Sequence, residues 1–138
     1  MSFREKSAWA MAAVMALTGL FYLRLALAVP ADAPPVAQLG PLVPYVLAVS
    51  FASIVVQIAL AVFNLRDANK PADERERQAI HRAGHSAGIV LAVVVVSAAG
   101  SYLVQGNGAR LFQWVIGGLI ISQFADYALQ VYFFRRSV

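Results

Sequence analysis

Four stretches of predominantly apolar residues constrain this chain more than any other feature of its sequence. They occupy residues 8–29, 42–65, 86–105 and 111–134. A helix of about 20 apolar residues crosses the hydrocarbon core of a bilayer, so each stretch is long enough to span a membrane. The sequence therefore predicts an all-α integral membrane protein, a four-helix bundle built by one domain over residues 1–138.

The composition of the whole chain agrees with a location in lipid. Apolar residues make up 60% of the chain and charged residues 13%, whereas soluble domains carry about 45–50% and about 25%. This difference excludes an ordinary soluble domain and a disordered tail. The lack of cysteine excludes disulfides, thiolate metal sites and a cysteine nucleophile.

The first apolar stretch also shares features with a secretory signal peptide. Arg4 and Lys6 precede it, and Ala26 and Ala28 have the spacing of a cleavage site. Arg24 interrupts the region that a signal peptide keeps apolar. We therefore expect this stretch to be the first membrane span.

Positive charges in the short connections predict the direction of the spans. They precede the first span, separate the second from the third and follow the fourth: Arg4, Lys6, Arg66, Lys70, Arg75, Arg77, Arg82, Arg135 and Arg136. The connection 30–41 has no Lys or Arg, and 106–110 has one. Because positive loops stay in the cytoplasm, the sequence predicts an N-in and C-in orientation.

Polar residues inside the spans repeat at helical spacing and predict which faces turn inward. In the fourth span Gln123, Asp126 and Gln130 lie at i, i+3 and i+7. A polar side chain at this depth is costly unless it faces protein or water. We therefore expect an intramembrane polar core of these three with Gln57 and Thr18, in which Asp126, Gln57 and Thr18 meet. Further polar stripes lie in the second and third spans: Ser50, Ser53 and Asn64, and Ser97, Ser101 and Gln105.

Two charged residues within the spans each have two interpretations. Asp126 is either a proton or cation site or part of a hydrogen-bond network that fixes helix packing. Arg24, near the outer end of the first span, either extends to the interface or pairs with an anionic ligand or partner in the outer half. The two residues lie at different depths, so we do not expect them to form an ion pair.

The connection between the second and third spans contains signals for a helix start. Asp73 is followed three residues later by Glu76, which predicts a capping box. Asp73 and Arg77 have the i,i+4 spacing of an ion pair. The sequence predicts a helix that starts near residue 73, extends about three turns in the cytoplasm and continues unbroken into the third span.

Glycines predict how the last two spans pack. The segment 106–108, Gly-Asn-Gly, predicts a tight turn and hence an antiparallel hairpin of the third and fourth spans. Gly117 and Gly118 would permit a close approach of a neighbouring helix.

The sequence offers no set of residues for catalysis or for a cofactor. His81 and His85 are the only histidines, and their i,i+4 spacing lacks a third ligand for a metal site. A pH-responsive pair and plain solvated side chains remain the alternatives. Phosphate-binding loops, a Ser/His/Asp set and haem ligation by two helices are all missing, so we expect no enzyme and no cofactor. Arginines interleaved with acids also argue against direct nucleic-acid binding.

Residues 73–83, DERERQAIHRA, are similar to a D-E-R stretch followed by Ile and an R/K-A pair in small four-helix bacterial membrane proteins. Some of these proteins resemble the membrane-bound inhibitors of LytTR-type regulatory pairs, which hold a cytoplasmic DNA-binding regulator inactive. The resemblance implies a location in the bacterial inner membrane and a cytoplasmic regulator as partner. The predicted partner-binding residues are Arg75, Arg77, Gln78 and Arg82. The alternative is that these arginines only fix the topology.

Two other functional classes remain open. A small proton-coupled transporter acting as a homodimer would use Asp126, although the small multidrug exporters it would resemble carry their acidic residue in the first span. A packing subunit of a larger membrane complex is the third class.

Overall fold

The computed structural model describes residues 2–136. Within these residues the chain is helical and contains no strand, and its elements are α1 (Phe3–Leu27), a short 3-10 helix (Pro35–Leu39), α2 (Leu42–Phe63), α3 (Leu65–Ala68), α4 (Glu74–Gln105) and α5 (Gly108–Arg136). By length and composition, α1, α2, α4 and α5 can each cross a membrane. The predicted all-α class with four candidate spans is thus confirmed, whereas the closed bundle and the orientation stay predictions.

The four long helices pack in the spatial order α2, α1, α5, α4. Helix α1 packs against both α2 and α5, and α5 packs against both α1 and α4. Each neighbouring pair is antiparallel. The starts of α1 and α4 and the ends of α2 and α5 therefore lie together, and we call this the basic end. None of the residues of α2, all of which the structure describes, is buried.

Small residues allow α4 to approach α5 closely. The residues of α4 that are buried are all alanines: Ala79, Ala83, Ala87 and Ala98. Ser122 of α5 donates a hydrogen bond of 2.9 Å to the carbonyl oxygen of Ala87. A Cβ atom added to Gly118 would lie 2.6 Å from Cγ1 of Val94. The close approach predicted at Gly118 is confirmed, whereas a Cβ on Gly117 would meet nothing within 4 Å.

Helix α4 begins where the sequence predicts. Asp73 is the N-cap, its side chain accepts from the backbone N–H of Glu74 at 2.7 Å, and Glu76 accepts from the N–H of Asp73 at 3.3 Å. The helix then continues for 32 residues, about 48 Å at 1.5 Å per residue. Because a hydrocarbon core is about 30 Å thick, several turns extend beyond it.

The prediction of an ion pair within the first turns of α4 is wrong. The ion pairs of the described residues do not include Asp73 with Arg77. Glu76 instead pairs with Arg4 of α1, whose Nε lies 3.2 Å from Oε2 of Glu76. The carboxylate of Asp73 caps the helix, and the contact between Glu76 and Arg4 forms because the start of α1 lies beside the start of α4.

The predicted hairpin of α4 and α5 is also observed. Gly106 ends α4 with a φ of 64°, in the left-handed region, and its N–H donates to the carbonyl of Tyr102 at 2.7 Å. Asn107 accepts from the N–H of Arg110 at 3.1 Å and so caps the start of α5. Two residues, Gly106 and Asn107, therefore connect α4 to α5.

Candidate functional site

At the basic end, two ion pairs join the start of α1 to α4 and α5. The Arg4–Glu76 pair reaches α4, and Nη2 of Arg4 also donates to the carbonyl of Lys70 at 3.4 Å. Arg135 of α5 lies with its Nε 3.3 Å from Oε1 of Glu5. The first pair holds the start of α4 against α1, and the second holds the end of α5 against α1.

Aromatic rings hold the last arginines of α5. The guanidinium of Arg135 lies 5.3 Å from the ring centroid of Trp9, and that of Arg136 lies 5.1 Å from the ring of Tyr132. Both distances are within the range of cation–π attraction. The end of α5 is thereby tied to α1 and to its own preceding turn.

The segment between α2 and α4 engages two more cations. Lys6 donates to Oδ1 of Asn64 at 3.2 Å, and Lys70 donates to Oδ1 of Asp67 at 2.7 Å. The hydrogen bond and charge of Lys70 lower the pKa of Asp67, and Asp67 in turn raises the pKa of Lys70. Both side chains are solvent-exposed, so the pair is a surface contact.

Four other arginines at this end are exposed and have no hydrogen bond, ion pair or ring contact within residues 2–136: Arg66, Arg75, Arg77 and Arg82. Three of them lie on α4, in the turns that precede the apolar part of the helix. The division is clear: Arg4, Lys6, Lys70 and Arg135 serve internal contacts, and these four do not.

The predicted partner-binding residues fall on two sides of α4. Arg75, Gln78 and Arg82 have the spacing i, i+3, i+7, and His85 continues it at i+10. We call these four exposed residues the basic stripe. Arg77 lies about 200° around the helix from Arg75, at 100° per residue, and so stands apart from the stripe. The buried alanines Ala79, Ala83 and Ala87 lie on the face adjoining the stripe, about 40–120° around the helix from Arg75.

The polar residues expected to form one intramembrane core are found in separate places. Gln57 of α2 donates to Oγ of Ser7 on α1 at 3.0 Å. The hydroxyl of Thr18, which is buried, donates to the carbonyl of Val14 in its own helix at 2.7 Å. Helix α1 lies between α2 and α5. Gln57 therefore bonds to α1 and not to the residues of α5.

The polar residues of α5 form a pair and one exposed position. Oδ1 of Asp126 accepts from Nε2 of Gln130 at 3.2 Å, one helical turn away. Asp126 is half-buried and has no ion pair among residues 2–136. Gln123 is exposed. No hydrogen bond of the described residues joins Asp126 to Gln57 or Thr18, so the expected meeting of these three is not observed.

A hydrogen-bonded chain at the opposite end was not expected from the sequence. Tyr22 of α1 donates to Oε1 of Gln113 at 2.8 Å, and Nε2 of Gln113 donates to Oε1 of Gln38 at 2.6 Å. The 3-10 helix is thus fastened to α5. In the sequence, Gln38 stands in a proline-rich connection and Gln113 in an apolar stretch. Neither position indicates that the two side chains bond to each other.

The two histidines remain apart from any cluster of ligands. His81 and His85 are exposed on α4. Within the part of the chain that the structure describes, no group of three His, Cys, Asp or Glu residues is placed to hold a metal ion.

Comparisons with known proteins add no relative to this description. No protein-family model, curated protein sequence or solved structure matches the chain.

Proposed function

We propose that this protein is a membrane regulator that binds and restrains a cytoplasmic partner through the basic stripe of α4. The observation that supports this is the distribution of cations at the basic end. Arg75 and Arg82 are exposed and engaged by no other described side chain, while the neighbouring cations on α1 and α5 form ion pairs.

The chemistry of the stripe selects an acidic partner. An arginine presents a planar fork of donors that matches a carboxylate, and Gln78 between the two arginines adds an amide donor and acceptor. Anchors at i, i+3 and i+7 are also the spacing by which one helix face engages a partner. The partner surface is therefore expected to carry carboxylates spaced along about two helical turns.

The fold also provides a link between the membrane and the stripe. Helix α4 runs without a break from the stripe to Gln105 at the opposite end. The ion pair of Arg4 with Glu76 holds the same turns against α1. A shift of α4 against α5 within the bilayer would therefore displace the stripe, which is what a sensory protein requires.

The test is capture of partners from native membranes in mild detergent, with co-purifying proteins identified by mass spectrometry. The variant carries Arg75→Ala and Arg82→Ala, and the control carries Arg66→Ala and Arg77→Ala, which removes two exposed arginines off the stripe. We expect a stoichiometric soluble protein with the wild type and the control and its loss from the stripe variant. Retention of that protein by the stripe variant would refute the proposal, as would capture of the chain alone.

Proton-coupled transport is the second candidate, because Asp126 is a half-buried carboxyl within a membrane-spanning helix and has no ion pair among the described residues. In this case a homodimer would form the path. Transport predicts that Asp126→Asn abolishes proton-driven flux into vesicles, while Asp32→Asn, in the exposed outer connection, leaves it unchanged. Equal flux for both variants, or none for the wild type, would remove this candidate.

A further inference from the structure

A groove between α1 and α5 lies in the half of the molecule away from the basic end. Its volume is about 550 Å³, within the range of about 300–1,000 Å³ typical of ligand sites. The lining is almost entirely apolar and includes Met15, Gly19, Leu23, Gly117, Ile120 and Phe124. Leu20, Leu23 and Ile121 of the lining are exposed, so the groove opens on the outer surface of two helices that can cross a membrane.

The two polar side chains in the lining are already engaged in hydrogen bonds with the protein. Tyr22 donates its hydroxyl to Gln113, and the amide of Gln113 donates to Gln38. Because these two side chains already have partners and the rest of the lining is apolar, the groove suits an apolar occupant.

A cation lies beside this apolar groove. Arg24 is exposed and has no hydrogen bond, ion pair or ring contact among residues 2–136. Leu20 and Leu27, at i−4 and i+3 from Arg24, both line the groove. Residues at these spacings are neighbours on a helix surface, so Arg24 lies at the edge of the groove.

The combination of an apolar groove and one unpaired cation matches an anionic lipid. We propose that the groove holds one acyl chain of an anionic phospholipid whose phosphate pairs with Arg24. A second copy of the chain is the other possible occupant. A two-fold contact through this groove would bring the same surface of both copies together, and thus two Arg24 side chains near each other in a medium of low dielectric constant. The phosphate of the lipid attracts the positive charge of Arg24, whereas a second copy places a like charge beside it.

Two residues of the lining are small enough to be replaced by a larger side chain. Gly117 lines the groove, and a Cβ atom there would meet nothing within 4 Å, so Gly117→Leu places a side chain in the groove. The matched control is Gly100→Leu, because Gly100 lies in α4, away from the groove, and its Cβ would also meet nothing. Ala16→Leu fills the groove independently from the α1 side.

The measurement is native mass spectrometry of the purified chain in mild detergent after addition of phosphatidylglycerol or phosphatidylcholine. For the wild type and Gly100→Leu we expect one retained phosphatidylglycerol per chain and weaker retention of phosphatidylcholine. Gly117→Leu and Ala16→Leu should each weaken retention of phosphatidylglycerol at least about tenfold. Arg24→Gln should abolish the preference between the two lipids.

Three results would overturn the proposal. The first is retention of phosphatidylglycerol at the wild-type level by both groove-filling variants, with helical content unchanged by circular dichroism. The second is an unchanged lipid preference in Arg24→Gln. The third is a wild-type dimer that Gly117→Leu dissociates, which would identify a second copy as the occupant. None of these tests depends on the basic stripe, so the two proposals fail or stand separately.

Discussion

Two adjacent glycines of α5 provide a direct test of how closely α4 and α5 pack. A Cβ atom on Gly118 would lie 2.6 Å from Cγ1 and 3.1 Å from Cβ of Val94, whereas a Cβ on Gly117 would meet nothing within 4 Å. Valine has one strongly preferred rotamer in a helix, so Val94 cannot turn away without strain. Gly118→Ala is therefore expected to overpack the interface, and Gly117→Ala is not.

The magnitude follows from two opposing effects. Replacing Gly by Ala within a helix stabilises it by up to about 1 kcal/mol, and both variants share this effect. Inserting a methyl group into a packed interface costs about 1–3 kcal/mol, and only Gly118→Ala incurs this cost. The free energy of unfolding of Gly118→Ala should thus lie about 1–3 kcal/mol below that of Gly117→Ala.

The assay is reversible unfolding in mixed micelles by titration with sodium dodecyl sulfate, followed by circular dichroism. Val94→Ala serves as the companion variant, because it removes the Cγ1 atom that the added methyl group of Gly118→Ala would overlap and leaves only the Cβ contact at 3.1 Å. There the gap between the two glycine variants should shrink. An equal free energy of unfolding for Gly117→Ala and Gly118→Ala in the wild-type background would refute the close contact.

Three further contacts lend themselves to measurement. Ser122→Ala removes the hydrogen bond from α5 to a backbone carbonyl of α4, and we expect a loss of about 0.6 kcal/mol in the same unfolding assay; a loss above about 2 kcal/mol would contradict this. A double-mutant cycle of Glu5→Ala with Arg135→Ala should give a coupling below about 1 kcal/mol, weakened by salt, because the arginine is exposed; a larger coupling that salt leaves unchanged would contradict it. Since Lys70 lowers the pKa of Asp67, the pair favours the folded state above the ordinary pKa of Asp67, and this contribution disappears as the pH falls through the lowered value. Lys70→Ala should return the pKa of Asp67 toward its ordinary value in an NMR titration, and an unchanged pKa would exclude the contact.

The features that depend on local sequence were predictable. The four spans follow from runs of apolar residues, and the start of α4 follows from Asp73 and Glu76 three residues apart. The hairpin follows from Gly106, which adopts a positive φ readily because glycine has no Cβ atom. Each of these signals acts over a few neighbouring residues, so the rest of the fold does not alter it.

The features that depend on which helices touch were not predictable. A polar stripe shows which face of a helix avoids lipid but not which helix covers that face. The stripes thus predict that Gln57 meets Asp126, yet Gln57 bonds to Ser7 because α1 lies beside α2. For the same reason the sequence indicates no tertiary partner for Glu76, which pairs with Arg4.

The spatial order α2, α1, α5, α4 has a consequence for how the chain assembles in the membrane. The two inner helices are the first and the last to be synthesised. Helix α1 can pair with α2 early, but its other side stays exposed to lipid until α5 has been inserted. Because the contacts between α1 and α5 join the most distant of the packed helices, they close the largest loop, and we expect them to form late. We therefore expect α1 with α2 and α4 with α5 to pair first as two helical hairpins, which the packing of α5 against α1 then joins.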